Sequence, residues 1–215
     1  MTKALNEQDW DSFNSRLKNN EIVVIDNFFT DEFLSILKIR ALYSKYYDTI
    51  YPEYAAIDYF IPQDYIMDTI IKEFRHNLSV LPKFQRAWSF VYNNESTGVY
   101  LHADPSQFNV NVWVSSDESV KNKTYNGLQI YKIIPPPSWD REDWNGNYEK
   151  ARNYIDSKNI KPVNIDYKSN RAIIFNGAYF HKSDNVSMKK GVHNRRVSYT
   201  MLFGEQLEFG FGTNV

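Results

Sequence analysis

A mainly β domain with flanking helices, its strands folded into two packed antiparallel sheets as a jelly roll, is the architecture this sequence predicts. Three observations predict it. From Ala87 onward the chain falls into short apolar and aromatic runs separated by turns, which favours a jelly roll over a sandwich of long hairpins. Helical periodicity is confined to the part before about residue 85 and to one later segment. The 215 residues suit one domain with a substantial core, because single β barrels and sandwiches often reach this length. The double-stranded β-helix, cupin-like in outline, is the natural member of that class.

Taken in order, residues 6–19 read as a short polar helix and residues 22–25 as a buried strand of β-branched side chains. Thr30 reads as an N-cap, with Asp31 and Glu32 in the first turn of a helix that runs to about Tyr43 and packs outside the sheet through Phe33, Leu34, Leu37 and Leu42. A second helix over 64–78 carries Ile66, Ile70, Ile71 and Phe74 at helical spacing and stops near Pro82. Between these helices Tyr43, Tyr46, Tyr47, Tyr51, Tyr54, Tyr59, Phe60 and Tyr65 crowd a stretch without regular period. They suit a lid or substrate wall, or equally a loop pinned to the barrel by its aromatics.

Strands are predicted over 87–92, 109–114, 128–131, 171–175 and 197–203, with turns at 93–98 and at Asn176-Gly177. The segment at about 135–162 interrupts them. Its prolines stiffen the exit from a strand, and Trp144, Tyr148, Ala151, Tyr154 and Ile155 mark a surface helix resting on the barrel. As a connecting loop on a rigid scaffold it is expected to flank the pocket mouth and to influence substrate rather than metal. The whole of 1–215 is thus a single domain, with a helical lead-in over 1–85 and a β core over 86–206 that carries this insert.

Composition narrows the function. The formal net charge is −1 and the basic residues are scattered, so no footprint for a nucleic-acid backbone is present. A small-molecule or peptidyl substrate is the expected partner. There is no cysteine, which excludes disulfides and thiolate metal sites and leaves imidazole and oxygen donors. Neither a signal peptide nor a run of about eighteen apolar residues is seen, so the expected location is cytoplasmic, with no membrane association.

One pattern carries chemistry. His102-Ala103-Asp104 places an imidazole and a carboxylate two residues apart, on one side of an extended segment, and His181 follows much later. Two histidines and one carboxylate on one face of an octahedron are the ligand set of a mononuclear Fe(II) site whose other face is open to a chelating cosubstrate and O2. His76, on the second helix, and His193, in a Gly-Val-His-Asn turn, are read as surface residues. On the last strand Arg196, Ser198 and Thr200 share one face and Val197, Tyr199 and Met201 the other, which suits a polar pocket or a solvated outer face. The guanidinium fork of Arg196 matches a carboxylate in two-point contact. Tyr92 either offers its hydroxyl to that carboxylate or packs, and Asn109 and Asn111 alternate with valines on a face that would look into the barrel.

The order of these parts resembles the Fe(II)- and 2-oxoglutarate-dependent dioxygenases, with a likeness to bacterial and phage members that carry His-Ala-Asp, a Gly-Leu-containing strand and Asn-Arg-Arg before the final strand. It spans roughly Trp88 to Gly204, and the opening Ile22-Val23-Val24-Ile25-Asp26-Asn27-Phe28-Phe29 is similar to that family's lead-in. The resemblance implies that His102, Asp104 and His181 hold and use iron, that Arg196, with Ser198 and Tyr92 beside it, binds 2-oxoglutarate, and that the protein hydroxylates a substrate with release of succinate and CO2. Two other classes stay open at this level: a non-catalytic jelly-roll module for a sugar or small metabolite, and a metal site acting as a Lewis acid.

Overall fold

The computed structural model describes residues 3–59, 64–124 and 126–205; Phe60 of the aromatic cluster and position 206, the expected end of the β core, lie outside them. The first part of the chain forms α1 (Trp10–Lys18), β1 (Val23–Ile25), α2 (Asp31–Leu42), β2 (Thr49–Ile50), β3 (Tyr54–Tyr59) and α3 (Tyr65–Asn77). There follow β4 (Phe84–Tyr92), β5 (Glu95–Ser96), β6 (Ser106–Trp113), β7 (Leu128–Tyr131), α4 (Arg141–Asn145) and α5 (Tyr148–Ser157). The chain then runs through β8 (Val163–Ile165), β9 (Arg171–Phe175), β10 (Phe180–Ser183), β11 (Val186–Ser187) and β12 (Val197–Glu205).

Side-chain caps set the helix starts. Thr30 accepts from the Phe33 amide and Asp64 from that of Met67, which satisfies amides the helix itself cannot. α1 begins four residues later than the sequence suggests, at Trp10 behind Asp9. Asn6 is held extended instead: its amide donates to Phe28 O, and its side chain donates to the carbonyls of Asn27 and Phe29.

The strands form a seven-stranded sheet in the order β1-β9-β6-β12-β4-β3-β2, a three-stranded sheet β10-β7-β8, and the small pair β11-β5, antiparallel throughout. Strand alternation splits the large sheet into two faces. Val110, Val112, Ala172, Ile174, Val197, Tyr199, Met201 and Phe203 meet Phe28, Leu37, Ile70 and Phe74 of the helical lead-in in the main core. On the other face Trp113, Ile173 and Phe175 pack against Leu128 and Ile130 of the smaller sheet. Two sheets closed face to face, with helices outside the larger one, are the jelly-roll arrangement of a double-stranded β-helix.

Two further features differ from the sequence expectation. The aromatic stretch before α3 contains the hairpin β2–β3, which extends the large sheet beyond β4. Tyr54 lies on Tyr92 and Phe90, with ring centroids 5.4 and 5.0 Å apart, while Tyr43, Tyr46, Tyr51 and Tyr65 are exposed. The segment 135–162 is also more than a surface helix. Trp144, Ala151 and Ile155 are fully buried with Leu101, Ala103, Tyr131 and Phe180 in a core of their own, on the outer face of the smaller sheet. No helix among the described residues is long and apolar enough to cross a membrane.

Candidate metal centre

The segment around His102 runs beside the free edge of β10. His102 and His181 exchange both backbone hydrogen bonds, at 3.0 and 2.8 Å, which sets their side chains on one face with ring centroids 4.3 Å apart. The next residues are held by two other elements. Ala103 N donates to Trp144 O and its carbonyl accepts from Asn145 Nδ2, while Asp104 N donates to Gly177 O. Every backbone amide of the His-Ala-Asp turn is therefore fixed by a partner distant in sequence.

Among the described residues, His102, Asp104 and His181 form the one cluster whose donor atoms could share a metal ion, with one atom from each lying within 4.8 Å of the others. Asp104 Oδ1 lies 3.9 Å from His102 Nε2, and Oδ2 lies 3.4 Å from His181 Nε2. Backbone carbonyls select the tautomers: His102 Nδ1 donates to Tyr100 O at 2.7 Å and His181 Nδ1 to Tyr179 O at 2.9 Å. Each Nε2 lone pair is left free to face the centre. Asp104 is oriented in turn by Asn109, whose Nδ2 donates to Oδ2 at 2.6 Å and whose Oδ1 accepts from Ser106 Oγ.

Charge states follow from these surroundings. Burial, and then the neighbouring His181, push the His102 pKa down to about 4, so the imidazole is neutral and able to ligate across the physiological range. Burial pushes the Asp104 carboxyl up, but the flanking His181 and His102 side chains and the Asn109 amide together outweigh it and hold the carboxyl at about 2, ionised.

A pocket opens from this cluster along the concave face of the large sheet, lined among others by Trp88, Phe90, Tyr92, Asn111, Trp113 and Arg196. Arg196 is 1% exposed, and its guanidinium carbon sits 4.7 Å from the Tyr92 ring centroid and 5.6 Å from that of Trp113. Its Nε and Nη1 are buried with no hydrogen-bond partner, as are Trp88 Nε1 and Asn111 Oδ1 in the same pocket. Ser198 and Thr200 line it too, on the face of β12 that carries Arg196, and Arg195 does not. His76 and His193 are exposed and are not part of the cluster. Asn109 takes a place no spacing rule marked, as the side chain that holds Asp104. Trp113 read from sequence only as a strand residue; nothing local shows that it lies beside a guanidinium.

No family sequence model matches the chain, and no curated protein matches it in sequence. Solved structures do match it in shape. The epimerase SnoN from nogalamycin biosynthesis, in complex with Fe3+, alpha ketoglutarate and nogalamycin RO, aligns with a TM-score of 0.68 at 10% identity, over 91% of this chain and 83% of that one. The chain has the fold of the 2-oxoglutarate and Fe(II) oxygenases. HygX from Streptomyces hygroscopicus, with nickel and 2-oxoglutarate bound, shares this oxygenase fold at a TM-score of 0.62 and 11% identity, over 94% and 88% of the two chains. A Pseudomonas putida prolyl-4-hydroxylase does so at 0.56 and 9%, over 92% and 99%.

Proposed function

We propose that this protein is an Fe(II)- and 2-oxoglutarate-dependent oxygenase that hydroxylates a small-molecule or peptidyl substrate. The observation that carries the reading is the company kept by Arg196. Buried donors and acceptors are nearly always paired, yet two guanidinium nitrogens, an indole N–H and an amide oxygen are left unpaired in the pocket that also holds the His-Asp-His cluster. Such a pocket suits a polar, anionic ligand, and the donor set suits a metal that keeps open positions.

His102 Nε2, His181 Nε2 and one Asp104 oxygen would hold Fe(II), and the unpaired edge of Arg196 would take a carboxylate of 2-oxoglutarate, with Ser198 and the Tyr92 ring beside it. When bound, iron with 2-oxoglutarate and O2 supplies an oxidation that releases succinate and CO2 and hydroxylates a C–H bond. The chain's own part is geometric and electrostatic. Tyr100 O and Tyr179 O keep both Nε2 atoms unprotonated, and Asn109 holds the carboxylate in place. Trp113 and Tyr92 enclose Arg196, where a fixed cation acts more strongly than it would in water.

Anaerobic titration with Fe(II) and 2-oxoglutarate tests this, read by the visible charge-transfer band of the chelate and, on admission of air, by succinate. Asp104→Ala is expected to abolish both signals and metal retention, and His76→Ala to change neither. Unaltered iron stoichiometry in Asp104→Ala would overturn the ligand assignment. Metal binding without the band or succinate would favour the Lewis-acid class.

A further inference from the structure

A second cavity, of about 520 Å³, lies between α5 and the segment leading into His102. Val99 and Ser183 line both this cavity and the metal pocket, and the two residues are tied by a Val99 N to Ser183 Oγ hydrogen bond of 2.6 Å. One backbone layer therefore separates the two spaces. Lys182 follows His181 on β10, and strand alternation turns it away from the metal and into this second cavity. Arg152 enters from α5, one turn after Tyr148 and on the same helix face.

The lining is cationic and aromatic. Neither Arg152 nor Lys182 forms an ion pair among the described residues, and the one carboxylate on the wall, Glu149, leaves a net positive charge. Arg152 Nη1 donates to Tyr131 Oη at 3.2 Å, which anchors the guanidinium from one side only. Tyr100 and Tyr148 stack on each other at the cavity wall, at 5.5 Å and 21°, although they are 64% and 51% exposed. The stacked pair leaves its remaining ring surface open to a ligand body.

We propose that this cavity is a binding site for a small organic anion, a carboxylate or phosphate on a flat or apolar body. Arg152 and Lys182 hold the charged end, and Tyr100 and Tyr148 the body. The anion site stands on this geometry alone and lies on the far side of a backbone layer from the metal pocket.

The test is calorimetric titration of the protein loaded with nickel and 2-oxoglutarate, using phenylacetate and phenyl phosphate as anionic probes and benzyl alcohol as the neutral one. At least one anion is expected to bind about tenfold or more tightly than benzyl alcohol, and to weaken about tenfold in Arg152→Ala and in Lys182→Gln. The better of the two anions identifies the charged group. Because Arg152 packs on Tyr131, the exposed-end change Lys182→Gln keeps the test decisive if Arg152→Ala fails to fold. Equal binding of the neutral probe, no binding of either anion, unchanged affinity in Lys182→Gln, or displacement of the anion by 2-oxoglutarate would each overturn the site. In Asp104→Ala, without metal, anion binding is expected to persist, so a failed oxygenase reading and a failed anion site give different results.

Discussion

Gly177 has no room for a side chain. A Cβ there would lie 2.1 Å from Ser106 Oγ and 2.6 Å from Asn109 Oδ1, the two atoms whose hydrogen bond aims the Asn109 amide at Asp104. Its carbonyl also accepts the Asp104 amide. Gly177→Ala should therefore displace the carboxylate without changing any ligand, and weaken metal binding by about 10- to 100-fold, as losses around a ligand do. Competition against a chelator measures it, and unchanged affinity would show that the Ser106–Asn109 relay does not position Asp104. Arg196 makes the second residue-scale prediction. Arg196→Ala should raise the 2-oxoglutarate requirement by about 2–4 kcal/mol, the cost of leaving a buried carboxylate unpaired. Arg195→Ala should matter far less, and Arg196→Lys should rescue in part because a point charge replaces a planar fork. The 2-oxoglutarate dependence of succinate formation decides; a larger loss for Arg195 would move the carboxylate anchor.

Among elements, β1 is short and sits at the edge of the large sheet, paired only to β9. Asp26, directly after it, reinforces that pairing. It accepts from Arg171 Nε at 2.6 Å and Nη2 at 3.1 Å at the start of β9, and from Lys168 Nζ at 2.8 Å. The Arg171 hydrogen bond, helped by Lys168 and opposed by burial, lowers the Asp26 pKa from 3.8 to about 2. A depressed carboxyl pKa means stability that is present above 3.8 and lost as pH falls through about 2. With the side chain 35% exposed, solvent screening limits the cost of Asp26→Asn near neutrality to about 1 kcal/mol. Thermal unfolding against pH should show the two proteins apart at pH 7 and converging as acid protonates Asp26. A constant gap down to pH 2 would show that the ion pair is not its source.

At the scale of the molecule, three packed regions meet at the His-Ala-Asp turn: the space between the sheets, the edge of β10, and the core built by α4 and α5. Trp144 joins the last to the His-Asp-His cluster, since its ring is buried and its carbonyl holds Ala103 N. Trp144→Ala should cost about 3–5 kcal/mol of stability through the cavity it leaves, and should weaken metal binding along with it. Replacing 135–162 by a Gly/Ser linker is expected to lose both metal binding and cooperative unfolding. A linker variant that unfolds sharply and retains metal would return the segment to the purely peripheral role that its prolines and polar surface suggest.

What the sequence alone determined was whatever depends on local period and local chemistry. Period-two alternation places Arg196, Ser198 and Thr200 on one face of β12 and Val197, Tyr199 and Met201 on the other, and the structure sets those two faces toward the pocket and the helices. Capping chemistry placed α2 and α3 within a residue at each end, and short apolar runs located β4, β6, β7, β9 and β12. The two-residue spacing of His102 and Asp104 marked a candidate metal turn, because it needs no knowledge of the rest of the chain. The tertiary structure decided what rests on contacts between distant residues. Ala55 and Ala56 have little strand preference of their own, and β3 exists because β4 offers a free edge to pair with. The strands β5, β8 and β11 are too short to show a period at all. Nothing near Asn109 in sequence says that its amide meets Asp104, and nothing near Trp144 says that it supports the same turn. A hydrogen bond between distant residues is a property of the folded chain, since closing the loop between them is worth its entropy only when the rest of the core is already in place.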